Sequence, residues 1–170
     1  MPKTYEPIAT YTVPSNQATI TFSSIPATYT DLVLQAVMMQ NGTATGTNGF
    51  LQYNSTTTGY SKTIINGNGS SASSARSTNM SRLFFNIDAN ASNWVFHTYQ
   101  IMNYANTNVF KTTLSRQNEA AAIVDASVSL WQNTAAINQI AITASDNLGV
   151  GTADQFTAGS TFTLYGIKSA

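Results

Sequence analysis

Cysteine is absent from the 170 residues, so neither a disulfide frame nor a thiolate metal site is available. Charge is nearly as scarce. Lys and Arg number 7, Asp and Glu number 7, and the charged fraction is 8%, against about 25% in an ordinary soluble domain. A chain of zero net charge offers no basic footprint for phosphate backbones and no polybasic cluster for anionic membranes. Neither nucleic acid nor membrane is therefore expected as a partner. Histidine occurs once, at His97. No run approaches the ~18 apolar residues of a membrane span, and Met1–Pro7 has no apolar stretch of the kind a secretory signal needs.

What is present is Ser, Thr, Asn and Gln for solubility, together with 42% hydrophobic and 11% aromatic residues. Disordered chains lack that apolar content. A surface of neutral polar groups has few ion pairs to screen and few groups to titrate. It should be indifferent to salt and pH, which suits a protein exposed on the outside of something.

Period-2 alternation dominates. Ala18, Ile20 and Phe22 alternate with Thr19, Thr21 and Ser23, the mark of a strand with one buried face. Asp31–Gln40 is apolar on both faces, as in a central strand covered on both sides. Trp94–Tyr104 gives the longest alternating run. Over Glu119–Trp131, Ala120–Ala122 favour a helical turn, but Val124, Ala126, Val128 and Leu130 alternate with Asp125, Ser127 and Ser129, and a strand from about Ile123 is preferred. Near the end, Phe162 and Leu164 point one way, and Thr161, Thr163, Tyr165 and Ile167 the other. Asn66–Ala75 reads as a low-complexity loop. About ten short strands with long polar loops, and no confident helix, predict a single all-β domain: an antiparallel β-sandwich, jelly-roll-like. Residues 1–7, bracketed by Pro2 and Pro7, read as an extended N-terminal arm, and residues 8–170 as the sandwich.

No constellation in the sequence supports chemistry. The carboxylates are scattered next to turns or strand edges, without the pairing that acid–base catalysis or glycoside hydrolysis requires. Asp31 is expected to accept backbone hydrogen bonds from the Tyr29–Thr30 bend. His97 sits mid-strand in a sequence without a Gly-x-Ser-x-Gly elbow, and reads as a structural histidine. One His and no Cys cannot supply a zinc site. Asp88-x-Asn90 and Asp146-Asn147 lack calcium-loop spacing, and the glycine-rich run at Asn66 lacks the lysine of a phosphate loop. Arg76 and Arg82, with Phe84 and Phe85 nearby, read as a solvated loop base. Trp94, Trp131, Tyr53, Tyr60, Tyr99 and Tyr104 read as core more than as a sugar platform. No enzyme, cofactor, catalytic residue or metal ligand is expected.

Two strings are more specific. Ser23-Ser24-Ile25-Pro26-Ala27-Thr28-Tyr29-Thr30-Asp31-Leu32-Val33-Leu34 resembles a recurring opening of virion structural proteins of tailed bacteriophages, cyanophages among them. Phe156-x-x-Gly159-Ser160-x-Phe162-x-Leu164-Tyr165-Gly166-Ile167 resembles their closing strand. The resemblance implies a jelly-roll capsid decoration, or cement, protein. Such a protein is a homotrimer that sits on the capsid exterior, is assembled in the host cytoplasm, and has the major capsid protein as partner. A tail or fibre module binding receptor or carbohydrate is the alternative. On this reading Pro2, Lys3, Thr4 and Tyr5 are expected to touch the capsid, and Tyr165 and Ile167 to pack between subunits.

Overall fold

The structure, a computed structural model, describes residues 4–41, 48–86, 93–119, 123–145 and 154–168. Twelve antiparallel strands make two sheets. They are β1 (Tyr5–Thr12), β2 (Thr19–Phe22), β3 (Asp31–Met38), β4 (Asn48–Tyr53), β5 (Tyr60–Gly67), β6 (Ala72–Met80), β7 (Leu83–Asn86), β8 (Val95–Met102), β9 (Lys111–Glu119), β10 (Ile123–Trp131), β11 (Ile140–Ser145) and β12 (Thr161–Ile167). The large sheet runs β1-β12-β3-β8-β9-β10-β5-β6, and the small one β2-β11-β4-β7. The fold is the expected all-β, jelly-roll-like antiparallel sandwich, with the first and last strands paired.

Alternation places the core. Leu32, Leu34, Ala36 and Met38 of β3, with Tyr99 and Ile101 of β8 and Phe162 and Leu164 of β12, face Ile20, Leu51, Ile140 and Ile142 of the small sheet. Burying each such side chain contributes about 1.5–3 kcal/mol. β12 presents the two faces its sequence predicts, with Tyr165 and Ile167 outward and half-buried.

Three expectations need correction. First, the arm does not extend to residue 7. Tyr5, Glu6 and Pro7 already pair with Ile167, Gly166 and Tyr165. Pro7 is tolerated because β1 is an edge strand, and the register shifts in a bulge just after it. Met1, Pro2 and Lys3 lie outside the described residues. Second, the low-complexity run is a hairpin. Asn66 and Gly67 end β5, and Ala72 starts β6. The turn is Asn68–Ser71, where Asn68 Oδ1 accepts from the Ser70 and Ser71 amides at 3.0 and 2.8 Å. Gly69 has φ +82°, a conformation glycine adopts without strain.

Third, β3 is not covered on both sides throughout, because Val37 on its outer face is exposed. β10 is the expected strand from Ile123, and it turns its polar set inward. Asp125, Ser127 and Ser129 face inward and are buried, while Val124 and Val128 face outward at 59% and 54% exposure. Alternation fixes that two faces exist and is silent on which is inside.

Candidate functional site

The two strings that carry the resemblance meet in space. Thr30 N–H donates to the Ile167 carbonyl at 2.8 Å, and Asp31 lies opposite Ile167 across the β3–β12 pair. The Tyr29 ring covers Gly166 so closely that a Cβ there would collide with it. The Tyr29 hydroxyl donates to Glu6 Oε2 at 3.2 Å, and Lys168 Nζ pairs with Glu6 Oε1 at 2.9 Å. Tyr104 closes the unit, its hydroxyl accepting from Tyr29 N–H at 3.3 Å and donating to the Pro26 carbonyl. Asp31 does not serve its own bend. Its Oδ1 accepts from Asn103 N–H at 2.7 Å, fixing the turn after β8.

The titratable side chains are spent on the fold. His97 is buried, with Nδ1 3.0 Å from the Tyr99 hydroxyl and its ring edge-on to Phe85 at 5.3 Å. Burial drops its pKa to about 3, so the imidazole is neutral at pH 7. Lys62 donates to the Phe84 carbonyl at 2.7 Å, tying β5 to β7. Burial lowers its pKa while the Asp125 charge opposes that. Lys111 donates to the carbonyls of Asn106, Val109 and Thr134, the latter two at 2.8 and 3.1 Å, and burial lowers its pKa as well. Ser115 and Ser127 share a buried hydrogen bond at 2.6 Å. Gln117 is buried with both amide atoms unpartnered.

Beneath β9 and β10, then, the interior is polar, and the apolar residues lie outside. The outer face of the large sheet carries Val37, Phe96, Leu114, Val124, Val128 and Ile65, the last at 61% exposure. Cross-strand pairs align them in rows. Ile65 lies opposite Ala126, and Ala126 opposite Arg116; Thr63 lies opposite Val128, and Val128 opposite Leu114. The face is hollowed by a groove of about 540 Å³ over β8, β9, β10 and β5. A second groove, of about 660 Å³ over β10, β5 and β6, shares Ile65 and Ala126 with it. At the opposite end of the same face the Tyr5 and Tyr165 rings meet edge-on at 6.1 Å, next to Ile167, the register partner of Tyr5. Tyr5, from the expected capsid contact, and the expected subunit contact thus form one patch. Thr4 is exposed beside it.

Other candidates resolve as structure. Arg82 stacks on the Phe50 ring at 3.8 Å, and Arg76 lies within β6. Tyr53, Tyr60, Tyr99, Tyr104 and Trp131 are buried, and only Trp94 is exposed. Both candidate calcium loops fall at least partly outside the described residues. Among the described residues no group of three His, Asp or Glu is placed to hold a metal, and no helix is long and apolar enough to cross a membrane. The apolar outer face was missed in the sequence. Its one signal is parity: Trp131, the bulkiest residue of β10, belongs to the same odd-numbered set as Asp125, Ser127 and Ser129.

No known protein family matches the chain, and no curated protein does. Among solved structures, the galectin LEC-6 of Caenorhabditis elegans aligns over 94% of this chain and 96% of its own, at 9% identity and TM-score 0.35. A protein of unknown function from Shewanella oneidensis aligns over 98% of this chain and 77% of its own, at 9% identity and TM-score 0.26. Similarities this low carry no site and no activity to this chain.

Proposed function

We propose that this chain is a structural virion protein that decorates and reinforces the outside of a bacteriophage capsid, binding the major capsid shell as a homotrimer. The observation that supports it best is the outer face of the large sheet. There a protein with very little charge leaves large apolar side chains uncovered, the mark of a docking surface. The titratable groups described above are engaged in holding the fold, so the surface is equipped for binding. Each subunit lays the Tyr5–Tyr165 end of its sheet on the shell, and three weak contacts add through their linkage.

The test is to locate the chain in a reconstruction of the virion and to measure the occupancy of purified capsids by the purified protein. Density over the shell at high copy number is expected. Density confined to the tail, with glycan binding by the isolated protein, would replace this reading with that of a tail module. Tyr5→Ala is expected to lower capsid occupancy, and unchanged occupancy would remove that end of the sheet from the contact.

A further inference from the structure

We infer that the outer face of β8, β9, β10, β5 and β6 is the surface through which copies of this chain contact one another. The inference deepens the decoration reading and rests on it for its biological setting.

Three observations converge. The first is the inversion of β10 and the β9 residue beside it. Leu114, Val124 and Val128 are placed in solvent by strands that keep Asp125, Ser127 and Ser129 inside. Aliphatic side chains in this number on one face mark an interface.

The second is the state of the sheet edges. β1 is guarded by Pro7 and a bulge, β2 is only four residues long, and β7 spans four of the described residues. Those are the devices by which edges avoid pairing. β6 has nine residues, no proline and no lysine, and almost every position is exposed. A contact that covers the apolar face beside β6 also covers this open edge.

The third is division of labour. Tyr5, Tyr165 and Ile167 form a single patch, which the decoration reading assigns to the shell. The far half of the same sheet is free to take the contact with a neighbouring subunit.

The chemistry favours a second copy as occupant. The groove is lined by Ile65, Leu114, Ala126 and Val128, with Thr98, Gln100 and Arg116 beside them and no aromatic ring. Interfaces between identical chains are more apolar than transient contacts. With zero net charge, copies do not repel one another. The size also fits. Five strands at about 4.8 Å spacing and eight residues at about 3.3 Å rise give roughly 600 Å² in projection. Side-chain relief brings that near the ~800 Å² per partner of a stable association.

The experiment measures mass in solution, by native mass spectrometry and sedimentation, for the full chain and for the double variant Ile65→Asp/Val128→Asp. Both positions are exposed in the subunit, so circular dichroism should report an unchanged fold. Thr163→Asp, on the polar half of the same face, is the control. The wild type and the control are expected to assemble, and the double variant to fall to a single 18.2 kDa chain. Two results overturn the inference: a wild type that stays monomeric at concentrations on the order of tens of micromolar, well above the dissociation constant of a standard interface, or an assembly the double variant leaves intact. Capsid occupancy is measured separately. If the variant breaks the assembly but no form binds capsids, the self-contact stands and the decoration reading fails. If the wild type is monomeric and the variant loses capsid binding, the groove belongs to the shell and the self-contact fails.

Discussion

Single residues hold the ends of the chain to its first loop. Gly166 is required because the Tyr29 ring occupies the place of a side chain there. Gly166→Ala forces that ring out and is expected to cost about 2 kcal/mol, as overpacking does. Tyr29→Ala also destabilises. Because both changes act on one contact, the double variant should cost less than the sum by about 1 kcal/mol, read from urea midpoints; strict additivity would show that the two residues do not pack. His97 sets the acid limit. Its folded pKa, about 3, lies below the ordinary 6.5 or so of the unfolded chain. Between those values the unfolded state binds the proton and the folded state does not, so stability rises with pH across that window and is lost as pH falls through it. A slope on the order of 1 kcal/mol per pH unit is expected below about pH 6. It should be weaker in His97→Gln, and equal slopes would assign the acid sensitivity to carboxylates. The indifference to pH expected from the composition therefore does not extend below the range where this one histidine protonates.

At the scale of elements, legibility followed how much each strand's alternation said about inside and outside. β2, β8 and β12 were readable because bulky apolar residues alternate with Thr, Gln or Lys-free polar positions. β6 was not, because Ala72-Ser73-Ser74-Ala75 has neither β-branched nor aromatic residues and looks like linker; it is held by the Asn68 turn and by pairing with Thr63–Gly67. β10 is legible as a strand but not in which face is inside, since the partner of its inward Ser127 is Ser115 on β9, and no local pattern announces it. The buried Ser115–Ser127 pair tests this. Ser115→Ala or Ser127→Ala alone leaves one hydroxyl without its partner and is expected to cost about 1 kcal/mol. The double alanine variant removes both polar groups and should be nearly neutral. Equal costs that add would mean that the two serines face solvent and that β10 is not inverted. The candidate site was legible only at Tyr5, Tyr165 and Ile167. The aliphatic groove beside β6 was hidden by the same inversion.

For the molecule as a whole, scarcity of charge is the property that reaches furthest. Lys62 and Lys111 are consumed inside the fold, and Lys168 is paired with Glu6. On the apolar half of the large sheet the cations are Arg76 and Arg116, whose stems can lie along the aliphatic rows. A contact built on such a surface draws its free energy from removing apolar area from water, at about 25 cal/mol per Å². Salt does not screen that term. Self-contact through that half, and binding of the Tyr5–Tyr165 patch to capsids, should therefore change little between about 0.05 M and 0.5 M sodium chloride, a range in which the Debye length falls roughly threefold. Sulfate should strengthen them, and cooling should weaken them, because both follow the hydrophobic contribution. Co-sedimentation of protein with capsids across those conditions reads all three. A steep loss of occupancy with sodium chloride would mean that ion pairs carry the contact. Residues other than the Tyr5–Tyr165 patch would then have to hold the shell.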